Sequence, residues 1–139
     1  MARLIATIRG RFTDYDGTLE VDPDGRARAR GAIRVTSITT DQTQRDEHLR
    51  SAEFLDASEH PEIRFASDRI EALDAERTRI AGGLVLKGAE QPVTLEARVL
   101  GAGTDQRGSE RLAIAGEGEL AFGPMQVKLL VDVSLVKAG

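Results

Sequence analysis

The chain holds few side chains that could do chemistry, and their spacing argues against a metal site. His48 and His60 are its two histidines, so a metal bound by both would also need carboxylates close by. Asp46 and Glu47 adjoin His48, but side chains one or two positions apart on a helix point in different directions. We therefore interpret the histidines as solvated or capping residues and predict no bound metal.

Nucleophiles and phosphate-binding loops are equally scarce. Ser51 and Ser67 lack the G-x-S-x-G context of a hydrolase. The stretch GGLVLKG (82–88) contains glycines and a lysine, but its spacing is not that of a phosphate loop, so we interpret it as part of a hairpin. Because the chain has no cysteine, disulfides, thiolate catalysis and Cys-ligated metals are excluded. The sequence thus predicts a protein that is not an enzyme, with no catalytic residue and no resident cofactor.

The composition is that of one soluble globular domain spanning residues 1–139. Hydrophobic residues make up 40% of the chain and charged residues 30%. The net charge of −4 argues against a nucleic-acid partner, since the binding surface for one would be basic. No apolar run reaches the roughly 18 residues that cross a bilayer, and the opening MARLIATIRGRF lacks a signal-peptide core. We therefore expect a cytoplasmic protein without stable membrane insertion, although the mature part of an exported protein would show the same pattern.

The elements that position these residues are almost all strands. Apolar and polar residues alternate with period 2 through most of the chain, and turn signals such as DPDG (22–25) separate the alternating segments. The pattern predicts strands at 3–12, 15–21, 26–35, 62–70, 77–87, 93–101, 111–121 and 126–136. About eight strands at hairpin spacing favour an all-β, antiparallel up-and-down barrel or a sandwich.

Small residues are frequent on the face that we expect to point inward. They are Gly17, Ala27, Ala29, Gly31, Gly82, Ala97, Gly116 and Gly118. An eight-stranded barrel is either filled by its own side chains or just wide enough for one small ligand, and small inward residues favour a cavity. The alternative is that the glycines mark bulges and bends where the sheet curves.

One charged segment, residues 42–55, does not alternate and predicts a short helix. Asp41 followed by Gln44 resembles a capping box. The helix face around Leu49 is mostly polar, so only Leu49, Phe54 and Leu55 could anchor the helix, and we expect it to lie across one end of the barrel. Pro61 then returns the chain to an extended conformation.

Three stretches in this order resemble the YceI-like family of polyisoprenoid-binding, lipocalin-like proteins. They are RGRFTDYDGTL (9–19), RDEHLRSAEFLD followed by HPEIRFAS (45–56 and 60–67), and GGLVLKGAEQPVTLEARVLG (82–101). The resemblance runs from about residue 3 to the C-terminus. It implies an extended antiparallel barrel around a long apolar channel that holds an isoprenoid or another long-chain amphiphile. This sequence departs from the family pattern in lacking a Trp-containing first strand and in passing from Phe122-Gly123 directly to Pro124.

The inward positions predict a ligand-binding lining that is apolar except for one tyrosine hydroxyl. The lining comprises Leu4, Ile8, Phe12, Tyr15, Leu19, Ile33, Ile63, Phe65, Ile80, Leu84, Leu95, Val99, Ile114, Leu129, Val131 and Val133. Tyr15 is the predicted polar contact, because its hydroxyl can bond a headgroup while its ring packs.

Two functions remain open from the sequence. The first is non-catalytic binding, transport or storage of a lipid-like molecule such as an isoprenoid or isoprenoid quinone. The second is a ligand-free interaction module with a filled barrel, paired as a homodimer through an edge strand. Strands 3–12 and 126–136 are predicted to be neighbours within one chain, with dimerisation through them as the alternative.

Overall fold

A computed structural model describes residues 10–123 and 125–136, which form one curled sheet and one short helix. The elements are β1 (Arg11–Phe12), β2 (Tyr15–Val21), β3 (Ala27–Arg34), a 3₁₀ turn (Val35–Ser37), β4 (Ile38–Thr39), α1 (Thr43–Arg50), β5 (Glu62–Ala72), β6 (Arg77–Leu86), β7 (Ala89–Thr104), β8 (Glu110–Phe122) and β9 (Met125–Val136). Each strand predicted from residue 15 onward is present, with ends that differ by a few residues. In the described ranges no helix is long and apolar enough to cross a bilayer.

The main sheet has seven strands in the order β2-β3-β5-β6-β7-β8-β9, and every neighbouring pair is antiparallel. Each strand therefore pairs with the next long strand along the chain, which confirms the predicted antiparallel up-and-down fold. The sheet curls into a half-barrel. The hydroxyl of Tyr15 on the first strand donates to the main-chain carbonyl of Asp132 on the last, at 3.4 Å, so the two outer strands approach each other.

At one end of the sheet, the turns that join the strands are stabilised by aspartate side chains. Asp24 accepts a hydrogen bond from the amide of Arg26, Asp74 from two amides in the β5–β6 turn, and Asp105 from two amides in the β7–β8 turn. Such side-chain bonds to nearby amides substitute for a backbone turn. We call this end, with turns 22–26, 73–76 and 105–109, the hairpin end.

The opposite end carries α1, and we call it the α1 end. Its buried apolar cluster, the end core, comprises Val35, Ile38, Leu55, Ala57, Ile63, Leu84, Leu86 and Val93. Phe12, Ile33, Leu49, Phe65, Leu95, Leu120 and Phe122 are partly buried and pack against it. Of the residues expected to anchor the helical segment, Leu55 is buried in the end core and Leu49 packs on it. The ring of Phe54 meets that of His48 edge-on, with centroids 4.6 Å apart.

The helix is shorter than predicted, and the predicted capping box is wrong. α1 ends at Arg50, and irregular turns carry the chain from there to β5. Asp41 adopts a left-handed conformation (φ 62°) one residue before the N-cap, Gln42, whose side chain makes no capping bond. Because a capping residue needs extended backbone, Asp41 in this conformation cannot serve as the N-cap.

The predicted first strand lies only partly within the described residues. Arg11 and Phe12 pair with Thr39 and Ile38 in a separate two-stranded sheet. Leu4 and Ile8 lie outside the described residues, as does most of the predicted pairing between 3–12 and 126–136. That pairing stays a prediction.

Candidate ligand-binding face

Cross-strand register places the predicted lining on one face of the main sheet, which we call the inner face. Tyr15 is opposite Ile33, and Ile33 is opposite Ile63. Since directly opposed residues share a face and every second residue along a strand does too, one face can be followed across all seven strands. The members on it are Tyr15, Leu19, Ile33, Ile63, Phe65, Ile80, Leu84, Leu95, Val99, Ile114, Leu129, Val131 and Val133.

Two β-bulges change which residues lie on the inner face, and the period-2 pattern missed Ile70 and Leu135 there. In β5 the register shifts between Ser67 and Arg69, so Ile70 joins the inner face opposite Ile80. In β7 a second shift follows Val99 and leaves Leu100 with 58% of its surface exposed. Leu135 lies opposite Leu112 on the same face. A bulge inserts one residue and reverses the alternation, which strict alternation along the sequence does not reveal.

The inner face divides into a packed half and an unpacked half. At the α1 end, Ile63 and Leu84 belong to the end core, where they are 7% and 4% exposed. Ile33, Phe65 and Leu95 pack against the end core, and so does Phe12, a predicted lining residue that lies in the separate two-stranded sheet instead of on the inner face. Towards the hairpin end lie the other predicted lining residues of the sheet apart from Tyr15: Leu19, Ile80, Val99, Ile114, Leu129, Val131 and Val133. These belong to neither group.

The unpacked half is only partly shielded from solvent. Leu19 is 39% exposed and Val99 52%, and the others are partly buried: Ile80, Ile114, Leu129, Val131 and Val133. The hairpin half therefore offers an apolar surface that the described residues do not cover.

The glycine and alanine residues of the inner face serve two purposes. All eight small residues that the sequence predicts to point inward do lie on this face. At Gly82 a Cβ atom would collide with the carbonyl of Ala66, and at Gly118 it would lie 2.6 Å from the carbonyl of Thr94. These glycines permit close backbone approach, as the bulge-and-bend interpretation expects. At Gly31 and Gly116 the nearest atoms are 3.6 and 3.5 Å from such a Cβ, so there the missing side chain leaves room on the face.

Polar contacts hold α1 in place over the end core. Asp46, only 6% exposed, accepts hydrogen bonds from the amide of Thr40 (2.7 Å) and from its hydroxyl. Arg45 donates to the hydroxyl and the carbonyl of Thr40 at 2.8 and 3.0 Å, and Arg50 donates to the carbonyl of Ile38 at 3.2 Å. We call this set of contacts the α1 latch. It gives the Arg-Asp pair of the charged segment a structural role, which sequence reasoning missed.

The latch determines the protonation state of Asp46. The hydrogen bond from the Thr40 hydroxyl is the largest cause that lowers the pKa of this carboxyl. The Thr40 amide, the Thr39 hydroxyl and the charge of Arg50 lower it further, against the opposing effect of burial. Bonds to the ionised form favour that form, so Asp46 is a carboxylate at neutral pH.

The remaining candidates are engaged in surface or local contacts. His48 Nε2 lies 2.6 Å from Glu53 Oε2 on an exposed surface, and the ring of His60 lies against Gly88. Ser51 bonds the carbonyl of His48, and Ser67 accepts a bond from the amide of Ala29. In the part of the chain that the structure describes, no three His, Asp or Glu side chains are grouped to hold a metal ion. Among the described residues, the contacts that these four make do not group a nucleophile with a base beside the inner face, as catalysis would require.

Two shallow depressions lie mainly among outward-facing side chains. One, of about 520 Å³, is lined by Arg30, Arg64, Asp68 and Glu90, among others. The second, of about 530 Å³, includes Glu117, and its other side chains are likewise mostly charged. Both are open to solvent, so neither offers an apolar molecule the dry surface that it needs. The unpacked inner face remains the candidate site.

Comparison with known proteins identifies related sequences across most of the chain. The family model described as YceI-like domain matches residues 1–131. "Protein YceI" of Escherichia coli O6:H1 is 37% identical over 121 residues, which cover 86% of this chain and 63% of that protein. "Protein YceI" of Escherichia coli O157:H7 is 36% identical over the same shares. The chain thus spans less than two thirds of the length of these relatives.

Solved structures share the fold at low sequence identity. A Campylobacter jejuni YceI protein superposes with a TM-score of 0.86 at 21% identity, and the match covers all of this chain and 90% of that one. Burkholderia cenocepacia BcnA matches with a TM-score of 0.78 at 17% identity, covering 91% of this chain and 86% of that one. These matches support the barrel architecture derived above.

Proposed function

Because the chain belongs to the YceI-like domain family, we propose that it is a non-catalytic protein that binds a long-chain apolar amphiphile on the unpacked half of its inner face. The ligand class is an isoprenoid or an isoprenoid quinone, held for transport or storage. Tyr15 is half exposed, and its hydroxyl bonds the carbonyl of Asp132, between Val131 and Val133 of the unpacked half. It is the proposed polar contact for the headgroup.

One observation carries this proposal: half of a continuous apolar face is packed and half is not. The packed half is covered by α1 and the turns after it, while Leu19 and Val99 in the other half stay 39% and 52% exposed. Burying an apolar chain there gains about 0.8 kcal/mol per methylene group, less the cost of immobilising the chain. A ligand of several isoprene units therefore gains enough to bind without a single ionic contact.

The charged groups support binding rather than catalysis. Asp46, Asp74 and Asp105 have lowered pKa values, and each accepts hydrogen bonds in the α1 latch or in a hairpin turn. A general acid or base would instead need a pKa near the working pH and a position beside the substrate. These three carboxylates meet neither condition, since they are held ionised by structural contacts away from the inner face.

A second candidate function is a ligand-free module that pairs with another copy of itself. Among the described residues, β2 and β9 are the outer strands of the main sheet, and Leu130 on the outer face of β9 is 71% exposed. Outer strands with unpaired backbone invite pairing with another chain. Pairing of this kind would cover the inner face with protein instead of lipid.

Native mass spectrometry of freshly purified protein separates the two functions. An adduct of lipid mass that organic extraction removes supports the carrier, whereas a clean apo mass with a dimer peak supports the module and contradicts the carrier.

A matched pair of variants localises the binding. Ala29→Phe places a ring on the inner face opposite Leu19 and should abolish the adduct. Thr18→Phe, which adds the same ring to the outer face of β2, should leave it unchanged. Loss of the adduct in both variants would contradict binding on the inner face.

A further inference from the structure

We propose that Leu95 forms the floor of the binding channel and limits how long an apolar chain the inner face accepts. This inference rests on the proposed function, because a floor matters only if a chain enters. It assigns a specificity-determining role to one side chain among the inner-face residues.

Leu95 lies on the boundary between the two halves of the inner face. Two residues before it on β7, Val93 is 3% exposed in the end core, and Leu95 itself packs against that core. Two residues after it, Ala97 is also buried, at 6% exposed, but lies outside the end core, and four residues after it Val99 is 52% exposed. The end core and the residues that pack on it thus stop at Leu95 on this strand.

The residues beside Leu95 belong to the unpacked half. Its cross-strand partners are Ile80 on β6 and Gly118 on β8, and Gly118 is in turn opposite Leu129 on β9. Ile80 and Leu129 are outside the end core and outside the group that packs on it. An apolar chain that reaches the level of Ile80 and Leu129 therefore contacts Leu95, which lies between them in the same cross-strand row. Beyond this level, towards the α1 end, the next inner residues are Val93 and Leu120 of the packed half.

Because position 118 is a glycine, the side chain of Leu95 fills the space above it. A Cβ atom at position 118 would lie 2.8 Å from Cδ2 of Leu95, so the leucine occupies the volume that a side chain at 118 would take. Truncation of Leu95 leaves that volume open, because a glycine cannot fill it. The channel should then become deeper instead of collapsing.

The channel above the floor has a defined length. On β8 the inner positions run from Gly118 through Gly116 and Ile114 to Leu112, which is about 20 Å of strand at about 3.3 Å per residue. Gly116 and its neighbour Ala97 keep the middle of this stretch wide. The surface thus suits a chain of a few isoprene units, and longer chains must leave their remaining units in water.

The test is a binding series on delipidated protein with geraniol, farnesol, geranylgeraniol and solanesol, ranked by competition in native mass spectrometry. For the unsubstituted protein, affinity should rise with each longer alcohol and then level off at the length whose isoprenoid tail reaches Leu95. In Leu95→Ala, the first alcohol beyond that limit should bind about tenfold tighter than to the unsubstituted chain, as expected from burying a few more methylene-sized groups.

Leu19→Ala is the matched control, because it makes the same truncation on the unpacked half of the inner face. It should weaken binding of all the alcohols without moving the length at which affinity levels off. Leu95→Val, a smaller truncation, replaces Leu95→Ala if circular dichroism shows that the alanine variant has lost its sheet. The proposed role of Leu95 is contradicted if the alcohol length at which affinity levels off is unchanged in the Leu95 variants, or if it shifts equally in Leu19→Ala. If the unsubstituted chain binds none of the alcohols, the proposed function itself is overturned, and the floor with it.

Discussion

At the scale of single residues, Thr40 and Asp46 show how a charged motif can be structural. Thr40 is 7% exposed and Asp46 6%, and Thr40 bonds to Asp46 through both its amide and its hydroxyl. Within the described residues, the buried Nε of Arg50 nearby has no hydrogen-bond partner. The hydrogen-bonding groups of the α1 latch are therefore only partly satisfied, and the loss of one more bond should lower the free energy of unfolding.

Thr40→Val tests the latch with little change in volume. The variant removes the hydroxyl that donates to Asp46 and accepts from Arg45. We expect the free energy of unfolding to fall by about 1–3 kcal/mol, the typical cost of leaving buried polar groups without a partner. Urea unfolding measures it. Thr43→Val, at the exposed start of α1, is the control, and an equal loss in both variants would contradict the latch.

The lowered pKa of Asp46 predicts how stability depends on pH. A carboxyl whose pKa is lower in the folded state stabilises the fold above its unfolded pKa of about 3.9, and this stabilisation is lost as the pH falls through the folded value. We therefore expect the unfolding free energy to fall below about pH 4 and less steeply in Asp46→Asn.

Glu47→Gln is the control for this pH dependence. Among the described residues the exposed Glu47 side chain makes no hydrogen bond, although it lies on the same helix. In Glu47→Gln the unfolding free energy should therefore fall with decreasing pH as steeply as in the unsubstituted protein. Asp74 and Asp105 also have lowered pKa values, so part of the slope should persist in Asp46→Asn. Identical slopes for all three proteins would show that Asp46 does not contribute.

At the scale of elements, α1 depends on one apolar contact and on the latch. Leu49→Asp should expose the segment to faster amide hydrogen exchange, because it removes the apolar side chain that α1 packs on the end core. Arg45→Ala should also accelerate exchange, since Arg45 donates two hydrogen bonds to Thr40. Gln44→Ala, at an exposed position, should not. Unchanged exchange in Leu49→Asp would count against this placement of α1.

At the scale of the whole molecule, the barrel depends on what lies against its two outer strands. Of the predicted strand 3–12, Arg11 and Phe12 pair with β4, and we predict that the residues before them neighbour β9 within one chain. A disulfide between Ile8→Cys and Val131→Cys would show it as an intramolecular product on a non-reducing gel, because the chain has no other cysteine. Pairing Ile8→Cys with Thr104→Cys is the control. A dimer-sized product would support association through these strands instead, and no product at all would contradict both arrangements.

Local pattern was enough to predict the strands, their faces and the charged helical segment. Alternation follows from the backbone geometry of a strand, and turn chemistry from the few residues in the turn, so each is readable within a short window. Three separated stretches in order, at 9–19, 45–67 and 82–101, carried the family resemblance, which the match over residues 1–131 confirms.

Only the tertiary structure decided which part of the inner face is packed. Val35, Leu55, Leu84 and Val93 meet in the end core although they are far apart in the chain, and alternation cannot distinguish a packed apolar residue from an uncovered one. The bulge that brings Ile70 inward and the bonds between Asp46 and Thr40 likewise depend on neighbouring elements. Hydrophobic pattern determines a face locally, but burial depends on what the rest of the chain places against that face.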